Sequence, residues 1–148
     1  MLIIENEISS SSDLIDETTP QYKALDWILF TDLGTCPEDH NLADRYALAV
    51  IYFATNGDLW SACNAVTSPN IAPCEEGDEG RFLSTGNECD WYGVVCDEQN
   101  EIYEILLRNN NLSGTIPNEI GTALQAVVSL ELDQNVITGS IPDNIDNL

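Results

Sequence analysis

The chain has 148 residues, of which 26 are Asp or Glu and only four are Lys or Arg, so its formal net charge is −22. A surface this acidic repels nucleic-acid phosphates and anionic lipid headgroups, which argues against nucleic acid as a partner and against direct binding to an anionic membrane. The use of five cysteines favours an oxidising compartment.

Residues 1–19 are polar and acidic and contain the serine run Ser9–Ser12. They show no periodic apolar pattern, so we predict that this tail is disordered. Met1–Glu5 carries neither a basic stretch nor an apolar run long enough for a signal peptide. A secreted location therefore requires a signal or membrane anchor that is not present in this chain.

Residues 20–60 are predicted to form a helical lead-in of two helices. Thr19 and Pro20 provide a cap and a first-turn proline for the first helix. Its apolar positions with helical spacing are Tyr22, Leu25, Ile28 and Leu29. The second helix is expected over residues 42–55, after a loop that contains Gly34 and Pro37. The apolar stripe of this helix consists of Leu42, Tyr46, Ala49, Val50 and Phe53.

Residues 61–88 are predicted to form an acidic loop that is rich in Pro, Gly and Ser. We expect a disulfide between Cys63 and Cys74 on their proximity alone. Cys36 is then left over, either as a free thiol or with a partner outside this chain. The acidic run 75–80 offers oxygen ligands for calcium, but its spacing matches no calcium loop, so we interpret it as a solvated loop and predict no metal site.

The chain offers little for catalysis. His40 is the only histidine, and it lies beside two acids in a loop, where an exposed or helix-capping role is the simpler interpretation. Carboxylate pairs are expected by chance in so acidic a chain and identify no site. There is no phosphate-binding glycine loop with its lysine. We therefore predict no catalytic residues and no cofactor.

Residues 89–101 are predicted to form a cap hairpin. Tyr92–Cys96 is rich in residues that favour strands, and the polar turn Asp97–Asn100 follows it. We expect this segment to pair with Ile102–Leu107 and so to cover an otherwise open strand edge.

Residues 102–126 and 127–148 repeat one pattern with a fixed offset of 25 residues. In each copy apolar residues alternate, as in a short strand with one buried face, and a Gly-x-Ile-Pro turn follows. One copy alone has nothing to bury that face against, so stacked copies are needed to form a core. We expect the two inward asparagines to bond backbone groups of the bend that would otherwise be buried without partners. The inward positions are Ile105, Leu107, Asn110 and Leu112 in the first copy and Leu130, Leu132, Asn135 and Ile137 in the second.

The outward positions of the same strands, on the concave side, form the candidate binding surface. They offer acids and amides with one arginine, which suits a cationic or hydroxyl-rich partner such as a peptide or a glycan. An alternative interpretation is that these coils only cover the end of the solenoid. The outward positions are Glu104, Leu106, Arg108 and Asn109 in the first copy and Ser129, Glu131, Asp133 and Gln134 in the second.

The repeated pattern Leu-x-Leu-x-x-Asn-x-Leu-x-Gly-x-Ile-Pro resembles the plant-type leucine-rich repeat, although the first copy has one extra residue near Gly121–Ala123. The motif Cys-x-Trp-x-Gly-Val-x-Cys at residues 89–96 resembles the N-terminal cap of plant-type leucine-rich repeat ectodomains. Residues 20–28 and 45–60 are similar to the helical lead-in of a large family of diatom leucine-rich repeat proteins.

The resemblance implies an α/β solenoid, the start of a right-handed leucine-rich repeat horseshoe, with a helical N-terminal lead-in and a disulfide-bonded cap. In such caps the two cysteines are bonded, which here implies a disulfide between Cys89 and Cys96. Free buried thiols or a metal site at these cysteines are the weaker alternatives, because the spacing does not suit a metal knuckle.

These observations lead to a non-catalytic recognition scaffold of a surface or secreted protein that binds a protein, peptide or glycan. The alternatives are the sensor ectodomain of a transmembrane receptor kinase whose kinase lies outside this chain, and a structural or adhesive wall-associated protein. We expect an extracellular or cell-surface location, with a cytoplasmic one as the alternative. Asn111 begins a glycosylation sequon, Asn-Leu-Ser, which is consistent with secretion.

Overall fold

The structure is a computed structural model, and it describes residues 4–32, 41–75, 77–78 and 80–147. Cys36, His40 and the loop that holds Gly34 and Pro37 lie outside the described residues, as do two acids of the run 75–80. The predictions made for them therefore stay predictions.

The N-terminal segment differs from the disorder that we predicted for residues 1–19. Over its described part, a single π-helical turn at Ile4–Ile8 is followed by helix α1, Ser11–Ile15. The Ser10 side chain accepts a hydrogen bond from the main chain of Asp13 and so caps α1. Ile4 and Leu14 are buried in the core. Two well-placed apolar residues and a helix cap thus hold in place a segment whose overall composition is polar.

Helices α2 (Pro20–Phe30) and α3 (Leu42–Ala54) occupy the region where two helices are expected. The buried side of α2 carries Ala24, Trp27 and Ile28, whereas Leu29, assigned to the apolar stripe from its spacing, is 46% exposed. The buried side is rotated because the indole of Trp27 packs edge-on against that of Trp91, with ring centroids 5.8 Å apart. Helix α3 is buried at every position from 45 to 52, so it is a central helix rather than an amphipathic one.

Two small sheets form the repeat region. Strand β1 (Val94–Cys96) runs antiparallel to β2 (Ile102–Leu106), as expected for the cap hairpin, and β2 runs parallel to β4 (Ser129–Glu131). Strands β3 (Ser113–Thr115) and β5 (Val136–Thr138) form the second, parallel sheet. Strands β2 and β4 join residues that are 25 positions apart, as the internal repeat predicts. Strands β3 and β5 join residues that are 23 positions apart, such as Ser113 and Val136.

The outer side of each coil is helical, although the two coils differ there. The first coil has helix α4 (Glu119–Ala123), and the second has a 3-10 turn at Asp143–Asn147. Gly121 lies at the contact between the two, because a Cβ at this position would collide with the carbonyl oxygen of Asn144. The extra residue of the first copy thus falls on the outer side and leaves the register between β2 and β4 intact. The architecture confirms the α/β solenoid with its disulfide-bonded cap.

The inward asparagines connect successive coils. Asn135 Oδ1 accepts hydrogen bonds from the main-chain amides of Asn110 and Leu112, at 2.9 and 3.0 Å. Its Nδ2 donates to the carbonyl oxygens of Leu107 and Leu132, at 2.7 and 2.9 Å. One side chain therefore satisfies four backbone groups of the bend.

The lead-in takes the place of a preceding coil for the first repeat. Asn110 Oδ1 accepts from the main chain of Ala62 at 2.7 Å, just as Asn135 accepts from the coil before it. The amide of Ser113 donates to the carbonyl oxygen of Thr55 at 3.0 Å, immediately after α3. At Gly114, whose φ is +119°, a Cβ would collide with the carbonyl oxygen of Ala54. The end of α3 and the loop after it therefore stack on the first repeat as a further coil would.

Both expected disulfides are present. Cys89–Cys96 joins a 3-10 turn at Glu88–Asp90 to the end of β1, and Cys63–Cys74 closes the long loop. Arg81 holds that loop from inside: its Nη1 donates to the carbonyl oxygens of Asn64 and Ala72, at 3.2 and 2.8 Å.

A buried guanidinium joins the lead-in to the cap. Arg45 on α3 is 2% exposed and forms a bidentate ion pair with Asp32. Its Nε and Nη2 donate to the two carboxylate oxygens of Asp32 at 2.6 and 2.9 Å. It also pairs with Glu88 at 2.9 Å, and its remaining donors reach the carbonyl oxygens of Ser84 and Gly86. The indoles of Trp27 and Trp91 lie 5.4 and 4.7 Å from the guanidinium carbon. All five N–H groups of this arginine have acceptors, which is the condition for burying it without a large penalty.

Candidate binding face

The concave face is defined here by the outward side chains of β1, β2 and β4 and of the turns that follow β2 and β4. Parallel pairing places Glu104 beside Ser129 and Leu106 beside Glu131. The predicted outward residues of the two copies therefore lie next to each other in rows across the sheet. The inward residues Ile105 and Leu107 are fully buried behind them.

The next row is an ion-pair cluster around Arg108. Its Nε donates to Asp133 Oδ1 at 2.8 Å, and its Nη1 lies 3.3 Å from Glu131 Oε2. The hydrogen bond that Arg108 donates to Asp133 is the main cause of the raised pKa of Arg108, followed by the charges of Asp133 and Glu131. All three side chains are about half exposed, so the cluster orients charge at the surface and contributes little to stability.

Asn109 and Gln134 lie three residues after the ends of β2 and β4. Both have positive φ, at 49° and 59°, so the chain turns sharply at the same place in each copy. The main-chain amide of Asn109 donates to the carbonyl oxygen of Asp133 at 3.1 Å, and Gln134 Nε2 donates to a carboxylate oxygen of Asp133 at 3.3 Å. Their exposed side chains extend the polar row beyond Arg108.

Three exposed apolar residues border the predicted set and were missed in the sequence. Val95 lies opposite Glu104 in the cap hairpin and is 38% exposed. Tyr103 and Val128 are also exposed, and they are neighbours, because the amide of Val128 donates to the carbonyl oxygen of Tyr103 at 2.9 Å. The predicted hairpin contained enough information to include Val95. The exposure of Tyr103 follows from an irregular register between Val95 and Cys96, which strict alternation does not show.

The charge of this face is unbalanced. Glu104, Glu131 and Asp133 contribute three carboxylates against the single guanidinium of Arg108, so these four side chains together carry a net charge of −2. Within the described ranges, Glu104 forms no ion pair. The face thus combines an anionic row with apolar side chains, Leu106 among them, at its centre and border.

The second repeat is less covered than the first. Leu112 and Asn110 are buried, whereas their counterparts Ile137 and Asn135 are only half buried. In the described part of the chain the first repeat lies between the lead-in and the second repeat, whereas the second repeat has a neighbour on one side only. The same residue types are therefore buried to different extents.

The described residues contain no group of three or more His, Cys, Asp and Glu side chains placed to hold a metal ion. Across the same ranges, no helix is both long and apolar enough to cross a bilayer. Asn111, the predicted glycosylation site, is exposed, and its Nδ2 donates to the carbonyl oxygen of Leu59 at 2.8 Å.

Comparisons with known proteins agree with this geometry. Residues 101–123 match the family model of the Leucine Rich Repeat. The LRR receptor-like serine/threonine-protein kinase RGI3 of Arabidopsis thaliana is 37% identical over 57 residues, which are 38% of this chain and 5% of that protein. The receptor kinase-like protein Xa21 of Oryza sativa subsp. japonica is 38% identical over 69 residues, which are 45% of this chain and 7% of that protein.

Among solved structures, the crystal structure of PEPR1-AtPEP1 matches with 29% identity and a TM-score of 0.40, over 42% of this chain and 9% of that one. The matched stretch is thus well under a tenth of the length of the curated relatives, at 5% and 7%. The two disulfides fit an extracellular location. Taken with the stacked coils and the disulfide-bonded cap, the sequence matches show that this chain carries plant-type leucine-rich repeats.

Proposed function

We propose that this chain is a non-catalytic recognition scaffold of a surface or secreted protein, and that it binds a protein or peptide through the concave face. The observation that carries the proposal is the row arrangement of that face. Parallel pairing brings Glu104, Leu106, Arg108, Glu131 and Asp133 together although they come from two copies. Strand pairing holds the backbone beneath these side chains before binding, which lowers the entropic cost of recognition.

The chemistry of the face favours a basic partner. A cationic segment would meet the carboxylate of Glu104, which forms no ion pair within the described ranges, and the net negative cluster around Arg108. Exposed charges of this kind mainly raise the association rate and select against acidic partners. The apolar contribution comes from Leu106, Val95 and Tyr103, since burial of apolar surface favours association and tyrosine adds a large contact area at small entropic cost. A glycan, with hydroxyl groups for the same acids and amides, is the alternative ligand.

Selection of binders from a displayed random-peptide library tests this proposal. The oxidised chain is the target, and selected peptides are then measured against Glu104→Lys and Glu98→Lys. Both substitutions change the charge equally, but Glu98 is exposed in the turn between β1 and β2, away from the concave face. Glu104 is preferred to Glu131 because its replacement leaves the Arg108 ion pairs intact.

We expect the selected peptides to be basic, and Glu104→Lys to weaken their binding about tenfold or more, which corresponds to about 1.4 kcal/mol. Glu98→Lys should change affinity less than twofold. Saturable binding that neither Glu104→Lys nor a charge reversal at Glu131 affects would reject the concave face as the site.

A second candidate is the sensor ectodomain of a receptor kinase, and the names of the relatives favour it. RGI3 and Xa21 are both described as receptor kinases, and this chain corresponds to a small part of each. Sequencing the full transcript through both ends tests this candidate. A membrane span and a kinase in the same reading frame would support it, and a complete reading frame with neither would reject it.

A further inference from the structure

A small pocket lies on the side of the lead-in, away from the residues of the concave face. Its volume is about 210 Å³, and it is formed where α3 ends and a 3-10 turn, Gly57–Leu59, begins. Lys23, Phe53, Asn56, Asp58 and Leu59 are among the residues that line it. Polar and apolar groups therefore face the same small volume.

The glycosylation sequon contacts two residues that line this pocket, one at each of its ends. Asn111 Nδ2 donates to the carbonyl oxygen of Leu59, a lining residue, at 2.8 Å. The Nδ2 of Asn56, another lining residue, donates to the carbonyl oxygen of Ser113 at 2.9 Å and contacts the Ser113 hydroxyl at 3.2 Å. The Asn111 amide has two hydrogens, and one of them is held by Leu59. The other is available for substitution, and the side chain that carries it is held next to a residue of the pocket wall.

We propose that Asn111 carries an N-linked glycan and that its first N-acetylhexosamine lies in this pocket. The donor is a lipid-linked oligosaccharyl pyrophosphate. The bond between Nδ2 and the sugar C1 forms as the bond from C1 to the pyrophosphate oxygen breaks. The lipid pyrophosphate leaves with the electron pair, and Nδ2 gives up one proton. Because the sugar is bonded to Nδ2 itself, it begins within one side-chain length of Leu59.

The lining suits a pyranose. The Leu59 side chain is 54% exposed and offers an apolar surface to the C–H face of the ring. Asp58 accepts a hydrogen bond from the Tyr52 hydroxyl through Oδ1, at 2.8 Å, and carries a second oxygen that sugar hydroxyls can reach.

Lys23 supplies donors to the same pocket. Of the four basic residues in the chain, it is the one without an ion pair within the described ranges. A tethered sugar loses little freedom on docking, so weak contacts of this kind are sufficient to hold it.

The inference does not depend on the proposed function, because the pocket and the concave face share no residue. A glycan held here would cover the junction between α3 and the first repeat, where Asn56 bonds to Ser113. It would therefore stabilise the same junction that positions the first coil.

The test uses the full chain secreted from eukaryotic cells, in three sequences: unchanged, Leu59→Ser and Ile71→Ser. Ile71 is a matched control, because it is 59% exposed and does not line the pocket. Intact mass gives the occupancy of Asn111. Each protein is then treated with an endoglycosidase, which trims the glycan to its first sugar. The melting temperature of this one-sugar form is compared with that of the same sequence without any glycan, secreted while N-glycosylation is inhibited.

We expect full or nearly full occupancy and a melting temperature about 2–3 °C higher for the one-sugar form of the unchanged chain. This gain should persist in Ile71→Ser and disappear in Leu59→Ser. An unoccupied Asn111, the absence of any gain, or an equal gain in all three sequences would overturn the proposal.

Discussion

Removal of the Arg45 guanidinium should be among the most damaging single changes in this chain. Arg45→Met keeps the length and much of the volume of the side chain but removes the charge. The carboxylates of Asp32 and Glu88 would then stay buried, at 0% and 2% side-chain exposure, without the cation that they face. Five hydrogen bonds and the contacts with the two indoles would be lost as well.

The expected loss is about 3–5 kcal/mol of unfolding free energy, the usual result of removing one partner from a buried ion pair. For a domain whose total stability is about 5–15 kcal/mol, this is a large fraction. Urea unfolding of the oxidised protein measures the loss as a change in midpoint at constant slope.

The chain contains a matched control for this prediction. Arg108 also faces two carboxylates, but its side chain is 53% exposed, so Arg108→Met should cost at most about 1 kcal/mol. The two arginines have the same number of acidic partners, so the expected difference in stability loss comes from their burial. Equal losses for Arg45→Met and Arg108→Met would refute it.

Three further predictions concern the coils, the cap and the core. Asn135→Ala should lower the free energy of unfolding by about 2–3 kcal/mol. It should also accelerate hydrogen exchange at the main-chain amides of Asn110 and Leu112, which donate to Asn135 Oδ1. Unchanged exchange at these two amides would contradict the role given to the Asn135 side chain. Replacing both Cys89 and Cys96 with Ala should lower stability by about 2.5 kcal/mol, measured by urea unfolding, and a cost near zero would show that the cap does not need its crosslink. Burial raises the pKa of Tyr46 and Tyr52 above the ordinary value of 10.0, so stability should be unaffected below about pH 10 and fall as the pH rises above it. Alkaline titration followed by tyrosinate absorbance should show two of the five tyrosines ionising late, and five normal titrations would be inconsistent with this burial.

The repeat region was largely predictable because its information is local and periodic. The constant offset of 25 residues implies how β2 pairs with β4, and the structure has Ile105 beside Leu130 as this offset requires. It does not give the pairing of β3 with β5, whose partners are 23 positions apart. The cap hairpin followed from the strand preference of Tyr92–Cys96 and the polar turn after it. The role of Asn135 followed from the need to satisfy backbone groups at a bend.

The lead-in was less predictable because its important contacts join distant parts of the chain. Arg45 is a charged residue on a helix, and its burial depends on Asp32 and Glu88, which are 13 and 43 positions away. The order of the N-terminal segment depends in part on Ser9, whose hydroxyl donates to Glu119, 110 positions away. Ala62 takes the place of an earlier coil through its backbone alone, so no sequence pattern marks it.

The most direct test of the recognition role is a nuclear magnetic resonance map of a selected basic peptide on the oxidised chain. Titration with the peptide should shift side-chain signals, and the account predicts the largest changes at the Leu106 methyl groups, the Arg108 Nε–H and the Tyr103 ring. Signals of Phe30, which is exposed on α2, should stay unchanged. The largest changes at α2 or in the loop closed by Cys63–Cys74, with none at Leu106 and Arg108, would contradict the concave face as the binding surface.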